Sequence, residues 1–355
     1  MRRSATMMTV TAVLLALCGC KGAQDSLDAA GPQAQRFGSL FWLFFWVTGI
    51  AFGITLIVLA ISLLKRGPRA TIEPELEPMP QDYGPSVRPI RPLDIPYDRK
   101  MVRVITGASF VTVILLFVLL IASVSTGHAM SSLDEKDALD VTIIGRQWWW
   151  EIHYPNANDP SQEVVTANEL HIPAGRTIRV KLISRDVIHS FWVPNLDGKL
   201  DLIPGYVNQL KFRVDSPTHL RGQCAEFCGL QHAHMGLEVF ADSPENFEKW
   251  LMAQRLPAPE PQTAELQRGR EVFVHGPCGM CHTISGTDAA ATIGPNLTHL
   301  KSRTTLAAGT LPNNKGDLGG WILNSQAIKP GVQMPSINLS AQDFQALLNY
   351  LETLQ

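Results

Sequence analysis

Charge is scarce in this sequence. Asp, Glu, Lys and Arg make up 17% of its 355 residues, against about 25% in a typical soluble domain. Two stretches carry none: 28 consecutive positions between Arg36 and Lys65, and 30 between Arg103 and Asp134. A helix of about 20 apolar residues crosses a bilayer, so an ordinary cytosolic enzyme is excluded. A net charge of −2 excludes a basic nucleic-acid binder, and no nucleic-acid partner is expected. With 45% hydrophobic residues the chain is too apolar to be disordered. Internal repeats are absent. The length leaves room for about two folded domains beyond the membrane part.

Widely spaced cysteines are also missing. The six cysteines form three tight pairs, Cys18/Cys20, Cys224/Cys228 and Cys278/Cys281. Disulfides that staple a fold join distant positions, so close pairs point to chemistry instead. The first pair belongs to the N-terminus. Met-Arg-Arg, an apolar run from Met7 to Leu17 and small residues at a cleavage site predict a secretory signal over 1–19. Leu17-Cys18-Gly19-Cys20 resembles a bacterial lipobox, which makes Cys20 the lipidation site and Cys18 a bystander.

The first membrane span is read over 39–64, with Trp42 and Trp46 near its outer end, and the second over 104–124. The connecting segment 65–103 holds eight Lys and Arg residues, which places it on the cytoplasmic side. Its prolines predict an extended linker. The spans form a transmembrane hairpin that leaves both large domains outside, at a bacterial inner membrane. From 138 to 242 the pattern changes period. Ile178, Val180 and Leu182 alternate with Arg179 and Lys181, and Leu210, Phe212 and Val214 with Lys211 and Arg213. Such alternation predicts half-buried strands, here an antiparallel β-sandwich. After a Pro- and Glu-rich linker at 256–261, residues 262–355 read as a small all-α domain. Ser340 with Asp343 starts its last helix, and Phe344, Leu347, Leu348, Leu351 and Leu354 form one apolar face.

Two motifs carry the chemistry. Cys224-Ala225-Glu226-Phe227-Cys228-Gly229-Leu230-Gln231-His232-Ala233-His234-Met235 packs thiols, imidazole and thioether into 12 residues. Soft sulfur with imidazole selects copper or zinc, and a weak thioether ligand favours copper. His189 is the candidate for the missing strong ligand, and thiols four apart on one loop suit a dinuclear centre. His234 reads as a surface histidine, and His153, His171 and His219 as ordinary polar residues. Cys278-Gly279-Met280-Cys281-His282 is the attachment pattern of a c-type haem, with His282 as proximal iron ligand. Three consecutive tryptophans, Trp148, Trp149 and Trp150, cannot all face one side of a strand.

The copper motif resembles subunit II of cytochrome c oxidase with its dinuclear CuA site. The resemblance implies a cupredoxin-like sandwich in which Cys224 and Cys228 bridge two coppers. His189 and His232 would each bind one, with Met235 and the backbone carbonyl of Glu226 as weak ligands. It implies that the Glu226 side chain reaches a magnesium ion at the subunit I interface, and that Trp148 passes electrons into the copper site. Trp149 and Trp150 are then structural. The segment 195–205 is similar to the family's segment near subunit I. Gln333-Met334-Pro335 resembles the ligand loop of class I cytochromes c, which makes Met334 the sixth iron ligand; His299 is its rival. Gly294-Pro295-Asn296-Leu297 resembles the loop whose proline carbonyl orients the proximal histidine. Trp321 reads as core packing.

Taken together, the chain resembles a caa3-type subunit II with a fused cytochrome c. The partners implied are subunit I, with haem a, haem a3 and CuB, subunit III, and an electron donor upstream of haem c. Oxygen reduction and proton translocation would reside in subunit I. Two other readings stay open, a CuA-containing nitric oxide reductase subunit and a free-standing membrane-anchored carrier. A quinol oxidase is disfavoured because that branch lacks the copper ligands. One departure concerns the second span: the family often begins it with a glutamate, but Asp98-Arg99-Lys100-Met101-Val102-Arg103 has no matching Glu-x-x-Trp, so a proton-channel role stays unassigned.

Overall fold

The computed structural model describes residues 22–65, 99–130 and 133–355. The signal segment with Cys18 and Cys20, and most of the linker, including Asp94 and Asp98, lie outside the described residues.

The described residues between Ser39 and His128 form one unit, dominated by two helices, α1 (Pro32–Leu64) and α2 (Arg99–Met130). Their side chains are exposed over nearly the whole length, as suits helices whose solvent is lipid. At 33 and 32 residues they outrun the roughly 20 needed to cross the hydrocarbon. Backbone hydrogen bonding continues past the apolar run, so the helices start earlier and α2 ends later than the spans read from composition. Pro32 at the first position of α1 has no N–H to leave unpaired.

The second unit contains the remaining residues and holds two cores. The first lies between two five-stranded sheets. One orders β3 (Val164–Ala167), β2 (Trp149–Tyr154), β1 (Leu139–Arg146), β5 (Thr177–Ser184) and β8 (Asn208–Arg213). The other orders β4 (Glu169–Pro173), β10 (Gly236–Asp242), β9 (Thr218–Cys224), β6 (His189–Trp192) and β7 (Leu200–Leu202). The alternation predicted for β5 is realised: Ile178, Val180 and Leu182 are fully buried. Ile178 faces Phe212 and Val180 faces Leu210 across the β5–β8 ladder. The sheets are not purely antiparallel, since β1 pairs β5 in parallel, as does β4 with β10. Those partners are joined by long connections that cross between elements, which alternation within a single strand cannot reveal. Helix α3 (Pro244–Ala253) closes one end and buries Phe247 in the sandwich core.

The second core belongs to the helical domain: α4 (Ala264–His275), α5 (Lys315–Leu323), the short α6 (Ser325–Ile328) and α7 (Ala341–Leu351). The Ser340 hydroxyl accepts from Asp343 N at 3.1 Å and starts α7 as its sequence suggests. Leu347, Leu348, Leu351 and Leu354 are buried, while Phe344 is half-buried. Helices α4 and α7 cross at Gly269, where a Cβ would stand 2.1 Å from Ala346 O, so no larger residue fits. Trp321 departs from expectation. It is half-buried on the wall of a cavity that Leu318 and Ile322 of the same helix also line, and those two make the core contact while Trp321 does not.

Candidate copper and haem sites

Three neighbouring strands deliver the sulfur- and imidazole-bearing residues to one end of a sheet. Phe191 of β6 pairs with Cys224 at the end of β9, which brings His189 beside that thiol. Strand β10 pairs β9 from the other side, and Cys224 N donates to Met235 O at 3.0 Å. The loop between β9 and β10 folds Cys228 and His232 back over the same point. Cys224 Sγ lies 3.8 Å from Cys228 Sγ, 3.9 Å from His189 Nδ1 and 3.2 Å from Glu226 O. Cys228 Sγ lies 3.6 Å from His232 Nδ1 and 3.9 Å from Met235 Sδ. The Glu226 side chain is exposed. His189, Cys224 and Cys228 are buried, and their ligand atoms lie within 4.8 Å of one another.

The donor set fits a soft cation. The hydrogen bond from Cys228 holds the Cys224 thiol down to about 3 against burial, with His189 and the backbone assisting. The same pairing, together with burial, pushes Cys228 up. Two adjacent buried thiols cannot both ionise unless a cation compensates them, which a metal does. His189 is also preset. Its Nε2–H donates to Asp186 Oδ1 at 2.8 Å, which leaves Nδ1 bare toward the thiols. Burial alone would raise the Asp186 pKa, but hydrogen bonds from His189, Gln147 N and Val187 N outweigh it and keep the carboxylate ionised. Gly145 leaves the space the imidazole occupies, since a Cβ there would sit 2.7 Å from His189 Cδ2. Asp186 escaped the sequence reading because nothing local marks it. We expect Asp186→Asn to weaken copper binding by about 10–100-fold, the usual loss for a residue behind a metal ligand; competitive chelator titration reads this directly.

The tryptophans divide as alternation demands. Trp150 is fully buried, with its ring edge-on to Phe191 and 6.2 Å from the His189 ring. Trp149 takes the opposite side and lies under Arg146, 5.4 Å from its guanidinium. Trp148 sits in the β1–β2 turn, 8% exposed, and its indole N–H donates to Cys228 O at 2.9 Å. Gln147 Nε2 donates to the same carbonyl at 2.7 Å. Gly229 follows with φ +112°, and a Cβ there would stand 3.0 Å from Trp148 Cζ2. Both the backbone and the close indole require glycine.

In the helical domain, Cys278, Cys281, His282 and Met334 line one cavity. His282 Nδ1–H donates to Pro295 O at 2.7 Å, which leaves Nε2 free. Burial pulls the His282 pKa down, and Arg303 adds to this against the Pro295 carbonyl, so the ring stays neutral, the form that binds metal. A Cβ on Gly294 would lie 2.6 Å from His282 Cε1, so this glycine gives the ring its berth. The cavity suits a large apolar ring with acidic groups. Arg303 reaches Asn296 O with one nitrogen, yet its buried Nε and the Thr305 hydroxyl on the same wall have no partner. His299, the rival ligand, is buried elsewhere, with Nδ1 2.7 Å from Gln355 O and Nε2 near Gln254 O and Leu256 O. His234 is exposed, and its Nδ1 lies 2.7 Å from Gln231 Oε1. His153, His171 and His219 all meet carboxylates.

The same cavity is walled on its other side by Gln147, Trp148 and Trp149 of the sandwich. A β-sandwich with a cluster of soft ligands, fused to a helical domain with a haem-attachment motif, defines a membrane-anchored redox protein that handles electrons one at a time.

Comparison with known proteins places that class. The model of the cytochrome c oxidase subunit II periplasmic domain matches residues 159–241, and the cytochrome c model matches 266–355. Cytochrome c oxidase subunit 2 of Alkalihalophilus pseudofirmus is 30% identical over 367 residues, covering 100% of this chain and 98% of the relative. The Bacillus subtilis protein of the same name is 31% identical over 241 residues, covering 63% of this chain and 66% of the relative. The crystal structure of the periplasmic domain of subunit II from Bradyrhizobium japonicum is 28% identical; it covers 34% of this chain and 96% of that one, with a TM-score of 0.32. The chain belongs to the cytochrome c oxidase subunit 2 family and carries a cytochrome c domain. It is an oxidase subunit of the cytochrome c oxidase kind.

Proposed function

We propose that this chain is the electron-receiving subunit of a proton-translocating oxidase in a bacterial inner membrane. Electrons from an upstream donor enter at haem c, pass to a dinuclear copper centre, and leave for subunit I, where oxygen is reduced to water. The bound haem and copper supply the one-electron redox chemistry. The carrying observation is that the cavity lined by Cys278, Cys281 and His282 is shared with Trp148, whose indole holds the Cys228 carbonyl.

The side chains have separate tasks. Cys224 and Cys228 would hold the copper through their thiolates, with His189 and His232 as the imidazole ligands and Met235 with Glu226 O as weak ones. These groups are delivered by adjacent strands, so the geometry is fixed whatever the redox state. Asp186 keeps His189 in the tautomer that ligates. Cys278 and Cys281 would attach the haem through their thiols, and His282 and Met334, which line the same cavity, would hold its iron. Methionine ligation raises the haem potential. The loop bearing Met334 is tied down by Ser325 Oγ and Gln326 Nε2, which donate to Met334 O at 2.7 and 2.9 Å. Arg303 and Thr305, whose buried Nε and hydroxyl lack partners on the cavity wall, would receive the haem carboxylates. The Glu226 side chain, exposed beside the copper loop, is the candidate for magnesium at the subunit I face. Subunit III and a lipid on Cys20 complete the reading.

Optical and EPR spectra of the purified full-length chain test this. We expect reduced haem c bands together with a mixed-valence dicopper signal. A mononuclear copper spectrum, or no copper uptake, would refute the assignment.

A further inference from the structure

Lys329 lies in the helical domain but is 2% exposed, one of the largest side chains buried in the molecule. Burying an ammonium is costly unless its donors are used. Here Nζ donates to Trp148 O at 2.9 Å and to Ala307 O at 3.0 Å. One acceptor belongs to the sandwich and the other to the helical domain, and the first is the carbonyl of the tryptophan at the copper loop.

The neighbours of Lys329 make the same crossing. Gln231 Nε2 donates to Pro330 O at 2.7 Å, and Gln231 adjoins His232. A Cβ on Gly331 would meet Leu230 at 2.8 Å, and Val332 packs against the sandwich core. Five positions beyond Lys329 the same loop presents Met334 to the haem cavity. Ala307 and Ala308 both have positive φ, 52° and 58°, a conformation that costs an alanine energy. Their carbonyls are turned to the interface: Ala307 O takes Lys329, and Ala308 O accepts from Gly236 N at 2.9 Å. Gly236 follows Met235 directly. Strained backbone, a buried lysine amine and the two ligand loops therefore meet at one seam.

We propose that Lys329 is a positioning residue that clamps the haem cavity of the cytochrome c domain against the Trp148 side of the copper loop. The proposal rests on the haem-to-copper reading above. With Lys329 in place, the loop carrying Met334 and the loop carrying Cys228 and His232 move as one body. Trp148 is closed to bulk solvent, so electrons reach it from the fused domain and not from a separate soluble donor.

The test compares wild type with Lys329→Met in the full chain with both cofactors, by two readouts. The first is amide hydrogen exchange at Gly236, whose donor bond crosses the seam. We expect it to speed up about tenfold or more, as a local opening, while the Ile178 and Val180 amides keep their protection. The second is the rate of electron transfer from haem to copper after light-driven reduction of the haem. We expect a fall of about tenfold, since displacement of about 1 Å is enough for large losses, with haem and copper spectra unchanged. Unchanged exchange at Gly236 would overturn the clamp. Faster exchange with an unchanged transfer rate would overturn the positioning role. If Lys329→Met does not accumulate with both cofactors, Lys329→Gln gives the same reading. Absence of the haem and dicopper spectra from wild type would sink the site assignment instead, and the exchange result would still decide the clamp.

Discussion

Cys224→Ser is expected to abolish the dicopper signal and reduce oxidase turnover by more than about a hundredfold, beyond the 10–100-fold typical of outer-shell partners. The reason lies in the ligand itself. Cys224 is the thiol whose neighbours already favour ionisation: Cys228 at 3.8 Å, His189 at 3.9 Å, and the backbone of Ser190 and Glu226. A serine hydroxyl does not ionise in this range and is a hard ligand, so it cannot share two copper ions. What remains is a single thiol, Cys228, with His189, His232, Met235 and Glu226 O, a set that cannot share two coppers through paired thiolates. The haem spectrum should be untouched, because Cys278, Cys281 and His282 all belong to the helical domain and none of them touches Cys224. EPR and haem absorption on one sample check both halves. A surviving dicopper EPR signal would show that Cys224 is not a bridge.

Met334→His is expected to keep the haem covalently bound and to lower its potential substantially, within the roughly 0.8 V span that axial ligands control. Thioether ligation favours the reduced iron, and a second imidazole removes that preference. Met334 O is fixed by Ser325 and Gln326, so the substituted side chain starts from the same backbone position. A lower potential makes reduction by the upstream donor harder, so turnover should fall at the step before copper. Potentiometric titration reads the shift. An unchanged potential would exclude Met334 as the ligand.

Much of both candidate sites was legible because their ligands are local. Cys224, Cys228, His232 and Met235 fall within 12 residues, and Cys278, Cys281 and His282 within five. Such spacing records a loop that must close on a metal or a ring. The supporting residues left no such trace. Asp186 acts on Gln147 from 39 positions away, Gln147 reaches Cys228 O across 81, and Lys329 meets Trp148 O across 181. Each is an ordinary polar residue in sequence and acquires its role from tertiary contact. The parallel pairs β1–β5 and β4–β10 were hidden for the same reason: alternation reports the face of a strand but not its neighbour. Trp321 was misplaced because an aromatic on an apolar helix reads alike whether it meets a core or a cavity wall.

If the chain carries electrons from its own haem to its own copper, the transfer needs no second molecule. In the purified full-length chain, a light pulse that reduces haem c should be followed by loss of the reduced haem band and bleaching of the dicopper absorption together. Transfer within one chain gives a first-order rate that does not change when the protein is diluted. A rate that falls in proportion to concentration, or a dicopper band that never bleaches, would contradict it.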